Sequence, residues 1–244
     1  MHALSYLMPR VPLIVSVLVA CIIVFISNYP GYFPVYLNNY MGGVKSAMGL
    51  GRDKPVVKVQ SFYSFKAKVA ETGETFDFAQ LKGKVVVVSN VASKCGLTDS
   101  MYKVLGQLAQ TYGPTGEFVV LGFPCAQFMN QEFAKTDETC PFVRGLLSKF
   151  GDIQDKGHFK LMEKVEVNGP GTHDIFQFLK YNSVLFDEAS GGVGPIKWNF
   201  GKFLIDKDGQ VIKYYSPTDG DLDADVKSAI EGKLVGAPVR KPNA

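Results

Sequence analysis

"KVVVVSNVASKCGLT", residues 84–98, decides how this chain is read. From Lys84 to Ala92 it is an apolar, β-branched run, long enough for a strand buried on both faces. Cys95 then stands between Lys94 and Gly96, just ahead of "SMYKVLGQLAQTY", residues 100–112. There Met101, Leu105, Leu108 and Tyr112 recur at helical spacing, with Asp99 or Ser100 as the expected cap. A filler cysteine needs no such address. Where a strand ends and a helix starts, the helix dipole and free backbone N–H groups favour thiolate over thiol, and Lys94 adds a positive neighbour.

Outward from this stretch, strand and helix patterns alternate. "SFYSFKAKVAETGETFDF", residues 61–78, reads as two short strands around Thr72-Gly73. "GEFVVLGF", residues 116–123, is a second buried strand. "TDETCPFVRGLLSKF", residues 136–150, begins a helix capped near Thr136 or Asp137, although Pro141 suits only a first turn. "GTHDIFQFLKY", residues 171–181, is a short helix, and "KFLIDKDGQVIKYY", residues 202–215, is a hairpin turning on Asp208-Gly209. "DLDADVKSAIEGKLV", residues 221–235, closes the domain as an amphipathic helix. Strand–helix–strand units with a terminal hairpin and helix predict one three-layer α/β domain. Ligands of such sheets gather beyond the strand ends, and both Cys95 and Cys125 lie there.

Composition excludes several functions. With 20% charged residues, a net charge of +3 and scattered basic residues, no nucleic-acid footprint is implied. Four cysteines without a CxxC pair make neither a disulfide scaffold nor a metal site. At the N-terminus, residues 11–26 are apolar apart from Ser16, and no charge occurs from Val11 to Val44. Extended to Tyr29, this run approaches the roughly 20 residues that cross a bilayer as a helix. We expect an uncleaved signal-anchor over residues 1–29, then a linker over 30–57, a globular domain over 58–236 and a tail over 237–244. A signal cut near Val19-Ala20-Cys21, giving a secreted product, and a lipobox at "LVAC" are the weaker readings. Arg10 before the span and Lys45 after it favour a cytosolic N-terminus and a lumenal or extracytosolic domain.

The chemistry open to Cys95 is limited by its partners. A cysteine hydrolase needs a nearby base, usually histidine, and His2, His158 and His173 sit in no pattern that supplies one. Peroxide has a weak O–O bond that a thiolate attacks directly, so the site chiefly needs N–H donors. Neutral amides and an indole suffice. "FPCAQFMNQE", residues 123–132, and "IKWNF", residues 196–200, hold Gln131, Asn199 and Trp198, the only tryptophan.

"NVASKCGLT", "LGFPCAQFMNQE", "VEVNG" and "IKWNFGKFLIDKDG" together, in this order, resemble the signature blocks of the glutathione peroxidase family from about Ser61 to Gly236. The resemblance implies a thioredoxin-like fold, a three-layer α/β/α arrangement on a central mixed sheet, here preceded by an N-terminal hydrophobic helix. It implies reduction of hydrogen peroxide or organic hydroperoxides, with Cys95 as the peroxidatic cysteine and Gln131, Trp198 and Asn199 as the donor set. No cofactor or metal is implied. The reducing co-substrate would be glutathione or a thioredoxin-like or isomerase-like dithiol protein.

His173 also matches a family position and is read as structural. Where the family usually reads FPCNQF, a small residue and QEP, this chain has Ala126, Met129, Asn130 and Phe133, which predicts a looser loop around Gln131. The short segment between "FLK" and "WNF" is similar to that of members lacking a tetramer-forming loop, so a monomer is expected. Cys140 falls where two-cysteine members carry their resolving cysteine, about one helical turn early, and Cys125 is the second candidate. A glutathione adduct on Cys95 with no internal resolver is the third outcome. Two other functions stay open: a thiol-disulfide oxidoreductase, disfavoured by the missing CxxC, and a peroxide-sensing redox relay.

Overall fold

A computed structural model describes residues 52–59 and 61–243. The first regular elements are the strands β1 (Lys66–Lys68) and β2 (Thr75–Asp77), an antiparallel hairpin whose turn uses Gly73 at φ +69°. "SFYSF" itself forms a single 3-10 turn, Phe62–Ser64, rather than strand. Then come β3 (Val85–Val91), α1 (Thr98–Tyr112), β4 (Phe118–Pro124), α2 (Thr136–Leu147) and β5 (Phe159–Leu161). The chain continues through α3 (Asp174–Tyr181), the two-residue strands β6 (Phe186–Asp187) and β7 (Gly192–Val193), β8 (Lys202–Ile205), β9 (Val211–Tyr215) and α4 (Leu222–Ile230).

The main sheet has the order β5-β4-β3-β8-β9. β3 pairs parallel with β4, which pairs parallel with β5, while β8 runs antiparallel to both β3 and β9. The sheet is therefore mixed, as expected. Every residue of β3 and β4 is buried. Alternation along β3 sends Val85, Val87 and Val91 into a core shared with α1, α2 and α4. Val86 and Val88 face a second core shared with α3, the β1–β2 hairpin and the Phe62 turn. Helices on both faces make the three layers.

Local expectations are corrected in three places. The buried stripe of α1 is Tyr102, Leu105, Leu108 and Ala109, with Met101 and Tyr112 only at its margins. Neither Asp99 nor Ser100 caps α1, because the helix starts at Thr98 and Asp99 lies in its first turn. Pro141 sits in the second turn of α2, not the first. The N–H it lacks would have met the carbonyl of Asp137, an exposed residue, so the omission is tolerated. The terminal hairpin turns where expected: Asp206 Oδ1 accepts from the N–H groups of Asp208 (3.0 Å) and Gln210 (2.8 Å), and Gly209 takes φ +81°.

Val57 N–H donates to Asn243 Oδ1 (2.9 Å) and Asn243 N–H to the Val57 carbonyl (3.1 Å), so the end of the expected linker and the expected tail pair with each other. The expected hydrophobic helix and anchor lie outside the described residues. Among those described, no helix is long and apolar enough to cross a membrane.

Gly106, on the buried stripe of α1, tests this packing. A Cβ there would come within 2.4 Å of the Phe150 ring, which is itself buried. Alanine is favoured over glycine in a helix by roughly 1 kcal/mol, but overpacking a filled core costs about 1–3 kcal/mol. Gly106→Ala should therefore lower the denaturation midpoint, and a raised midpoint would show that Phe150 yields freely.

Candidate active site

Past the end of β3 the chain turns sharply into α1. Thr98, the first residue of that helix, closes the turn: its hydroxyl donates to the Ala92 carbonyl (2.8 Å) and accepts from Cys95 N–H (3.1 Å). Cys95 is left 9% exposed, and the Leu97 N–H donates to its sulfur at 3.5 Å. The expected meeting of thiol and helix-start N–H is present. A Cβ on neighbouring Gly96 would meet nothing within 4 Å, so Gly96 itself faces open space.

Two distant segments converge on this turn. Lys94 N–H donates to the Gln131 carbonyl (2.8 Å), tying the loop after β4 to the cysteine turn. Asn199 Nδ2 donates to Gln131 Oε1 (2.8 Å), tying in the loop before β8. Trp198 packs against Phe128 with ring centroids 5.9 Å apart. Gln131, Asn199 and Trp198 are thus gathered beside the Cys95 turn. Ala126 does not leave Gln131 loose, because the Gln131 N–H donates to the Phe128 carbonyl (3.2 Å) while its own carbonyl holds Lys94. Met129 and Asn130 both take φ +54° to make this turn, a left-handed backbone that non-glycine residues adopt only at a cost.

The other two cysteines occupy different environments. Cys125 is fully buried in the α3-side core, across the sheet from Cys95, and its thiol donates to Gln127 Oε1 (3.8 Å). Burial pushes its pKa up to about 12. Cys140 is partly buried on α2 against the same core that contains Cys95. Burial first, then the Glu71 carboxylate, raises its thiol above the ordinary value. One turn later, Arg144 bridges Glu71 (2.7 Å) and Asp155 (2.9 Å) at the surface. His173 caps α3, with Nδ1 accepting from Ile175 N–H (3.3 Å), which is a structural role. Among the described residues no cluster of His, Cys, Asp or Glu is arranged to hold a metal.

Sequence reading missed the amides that brace the site. Asn90, one of two polar residues inside the β3 run, donates from Nδ2 to the Trp198 carbonyl (3.1 Å) and accepts from Phe200 N–H (2.6 Å) at its own carbonyl. A polar side chain in a doubly buried strand needs a partner, and that signal was available. Gln127 and Asn168 carried no local signal, because their partners are far along the chain. Gln127 Oε1 accepts from the N–H groups of Val167 (2.7 Å) and Asn168 (3.0 Å), and its Nε2 donates to the Asn168 carbonyl (2.8 Å). Asn168 in turn donates from Nδ2 to the Ile196 carbonyl (2.8 Å) and accepts from Ile196 N–H (2.9 Å). The Gln131 loop, the "VNG" turn and the Trp198 loop are therefore one hydrogen-bonded unit.

A thioredoxin-like sheet with a shielded strand-end cysteine beside neutral amides defines a thiol oxidoreductase built for a small oxidant. Residues 62–180 match the family model described as "Glutathione peroxidase". The "Glutathione peroxidase" of Lactococcus lactis subsp. cremoris is 42% identical over 158 residues, 64% of this chain and 90% of that protein. The "Glutathione peroxidase-like peroxiredoxin 2" of Saccharomyces cerevisiae is 38% identical over 174 residues, 70% of this chain and 97% of that protein. Among solved structures, T. cruzi GPX1 superposes with a TM-score of 0.52 at 30% identity, covering 70% of this chain and 97% of that one. This chain belongs to the glutathione peroxidase family. Its activity is thiol-dependent reduction of peroxide.

Gln127→Leu should expose how far the brace carries the site. It strips the Val167 and Asn168 N–H groups of their acceptor, and each buried unsatisfied group costs about 1–3 kcal/mol. Stability in urea should fall, and the rate of Cys95 oxidation by peroxide should fall with it. A variant as stable and as fast as the parent would show the brace to be idle.

Proposed function

We propose that Cys95 is the peroxidatic cysteine, with Gln131, Asn199 and Trp198 as donors to the peroxide, and that Cys140 is the resolving thiol. The observation that carries this reading is the hydrogen bond from Asn199 to Gln131 beside the Cys95 turn. The Cys95 thiolate attacks one peroxide oxygen, an S–O bond forms and the O–O bond breaks. The departing oxygen leaves as water or an alcohol after taking a proton, and the amide and indole N–H groups offset its developing charge. The sulfenic acid is then attacked by the Cys140 thiolate, giving a disulfide and releasing water.

The shared core supports Cys140 over Cys125, which the sheet separates from Cys95. Disulfide closure needs Cα atoms within about 7 Å, an approach that opening of α2 would allow. Pro141 weakens that helix, and the Arg144 ion pairs are exposed ones of the kind worth about 0–1 kcal/mol. No cofactor is invoked, and the disulfide is returned to thiols by a thioredoxin-like or isomerase-like dithiol protein or by glutathione.

Stopped-flow oxidation with hydrogen peroxide tests the assignment. Cys95→Ser should abolish turnover with the fold intact. Replacing Gln131 or Asn199 with an apolar residue should slow Cys95 oxidation by about 10²–10³. Cys140→Ser should keep the first oxidation but accumulate sulfenic acid. Peptide mapping after one equivalent of peroxide should show a Cys95–Cys140 link, and a Cys95–Cys125 link would overturn the choice of resolver.

In the same reading the protein is a monomer held to a membrane by residues 1–29, with the catalytic domain on the lumenal or extracytosolic side. The charge-free apolar run after Arg10 supports it. Alkaline carbonate should leave the full chain in the membrane pellet and release a chain starting at Lys45. Release of both would remove the anchor.

A further inference from the structure

Among the described residues, one cleft away from the Cys95 turn is lined by a lysine without a hydrogen-bond partner. It has a volume of about 340 Å³ and lies between residues 53–56, the turn at 169–172 and α3. Val56, Pro170 and Val193 contribute apolar wall, and Lys180 is part of the lining. Lys180 is 1% exposed, and its Nζ has no hydrogen-bond partner among the described residues. Several polar groups around it bond to one another. Thr172 donates its hydroxyl to the Gly169 carbonyl (2.7 Å), and Asp53 Oδ2 accepts from Gly169 N–H (3.0 Å). Gln177 accepts from Val56 N–H (2.7 Å) and donates to the Thr172 carbonyl (2.9 Å).

A buried ammonium without an acceptor is among the least favourable arrangements in a folded protein. Burial pushes the Lys180 pKa down to about 8, with Asp53 opposing, so the amine still carries its proton at neutral pH. Lys54 also lines the cleft, so two lysines stand against the one Asp53 carboxylate and the lining is net positive. The missing element is an anion, and the proline and valine walls ask that it carry an apolar tail.

We propose that this cleft binds a small organic carboxylate, its carboxylate accepting from Lys180 Nζ and its tail lying against Val56, Pro170 and Val193. An inorganic anion would meet the same ammonium but leave the apolar wall uncovered.

Calorimetric titration of the full chain in nonionic detergent, with sodium hexanoate as the probe and inorganic phosphate as the comparison, tests the site without reference to peroxide turnover. Hexanoate should bind saturably, one per chain, with Kd on the order of 1 mM or tighter. Phosphate should bind at least about tenfold more weakly, since it gains nothing from apolar burial. Lys180→Met should weaken hexanoate at least about tenfold by removing its ion partner. Val56 is 50% exposed, so Val56→Trp fills the cleft mouth without disturbing the core and should weaken hexanoate similarly, even if Lys180→Met does not fold. Absence of saturable hexanoate binding, phosphate binding as tight as hexanoate, or unchanged affinity in Val56→Trp would each overturn the proposal. A failure here leaves the Cys95 chemistry untouched, because the readout is binding alone.

Discussion

The rest of the structure depends on the burial of β3 on both faces. A strand with no solvent side must be covered twice, so α1, α2 and α4 lie on one face and α3 with the β1–β2 hairpin on the other. Its backbone needs partners on both edges, which β4 and β8 supply. Once β3 is enclosed in this way, the chain emerging from its end can only turn into α1. Cys95 occupies that turn, with the Leu97 N–H on its sulfur and Thr98 closing the loop beneath it.

The site is built from neutral groups. Gln131, Asn199, Asn90, Gln127 and Asn168 are amides; the side chains of Gln127 and Asn168 each make more than one hydrogen bond, and that of Asn90 makes one. Such a lattice holds the amides in place. It suits chemistry in which the bond being broken is weak and charge develops on a departing oxygen. It also accounts for the strain at Met129 and Asn130. The backbone there takes a left-handed turn so that the Gln131 carbonyl can reach Lys94 N–H.

The second thiol obeys a different constraint. Cys140 rides on a helix fastened by exposed ion pairs and containing Pro141, whereas Cys125 is sealed in the opposite core with its thiol engaged. The part of the molecule suited to move is therefore on the same side of the sheet as Cys95. The Arg144 ion pairs on α2 are exposed contacts that cost little to break.

By itself the sequence determined the strands around Cys95 and the terminal hairpin at Asp208-Gly209, and it picked out Gln131, Trp198 and Asn199. Runs of valine, turn residues and short motifs act over a few positions and can be read there. The start of α1 at Thr98, the place of Pro141 in α2, and the partners of Asn90, Gln127 and Asn168 were decided only by the tertiary structure. So were the opposite faces occupied by Cys125 and Cys140 and the unmatched Lys180. Each of these depends on which distant segment fills a hydrogen bond or covers a face. Gln127 finds its partners at Val167 and Asn168, and Lys180 meets residues 53–56. Local pattern holds no record of such pairings, because sheet order and the layers it imposes bring those residues together.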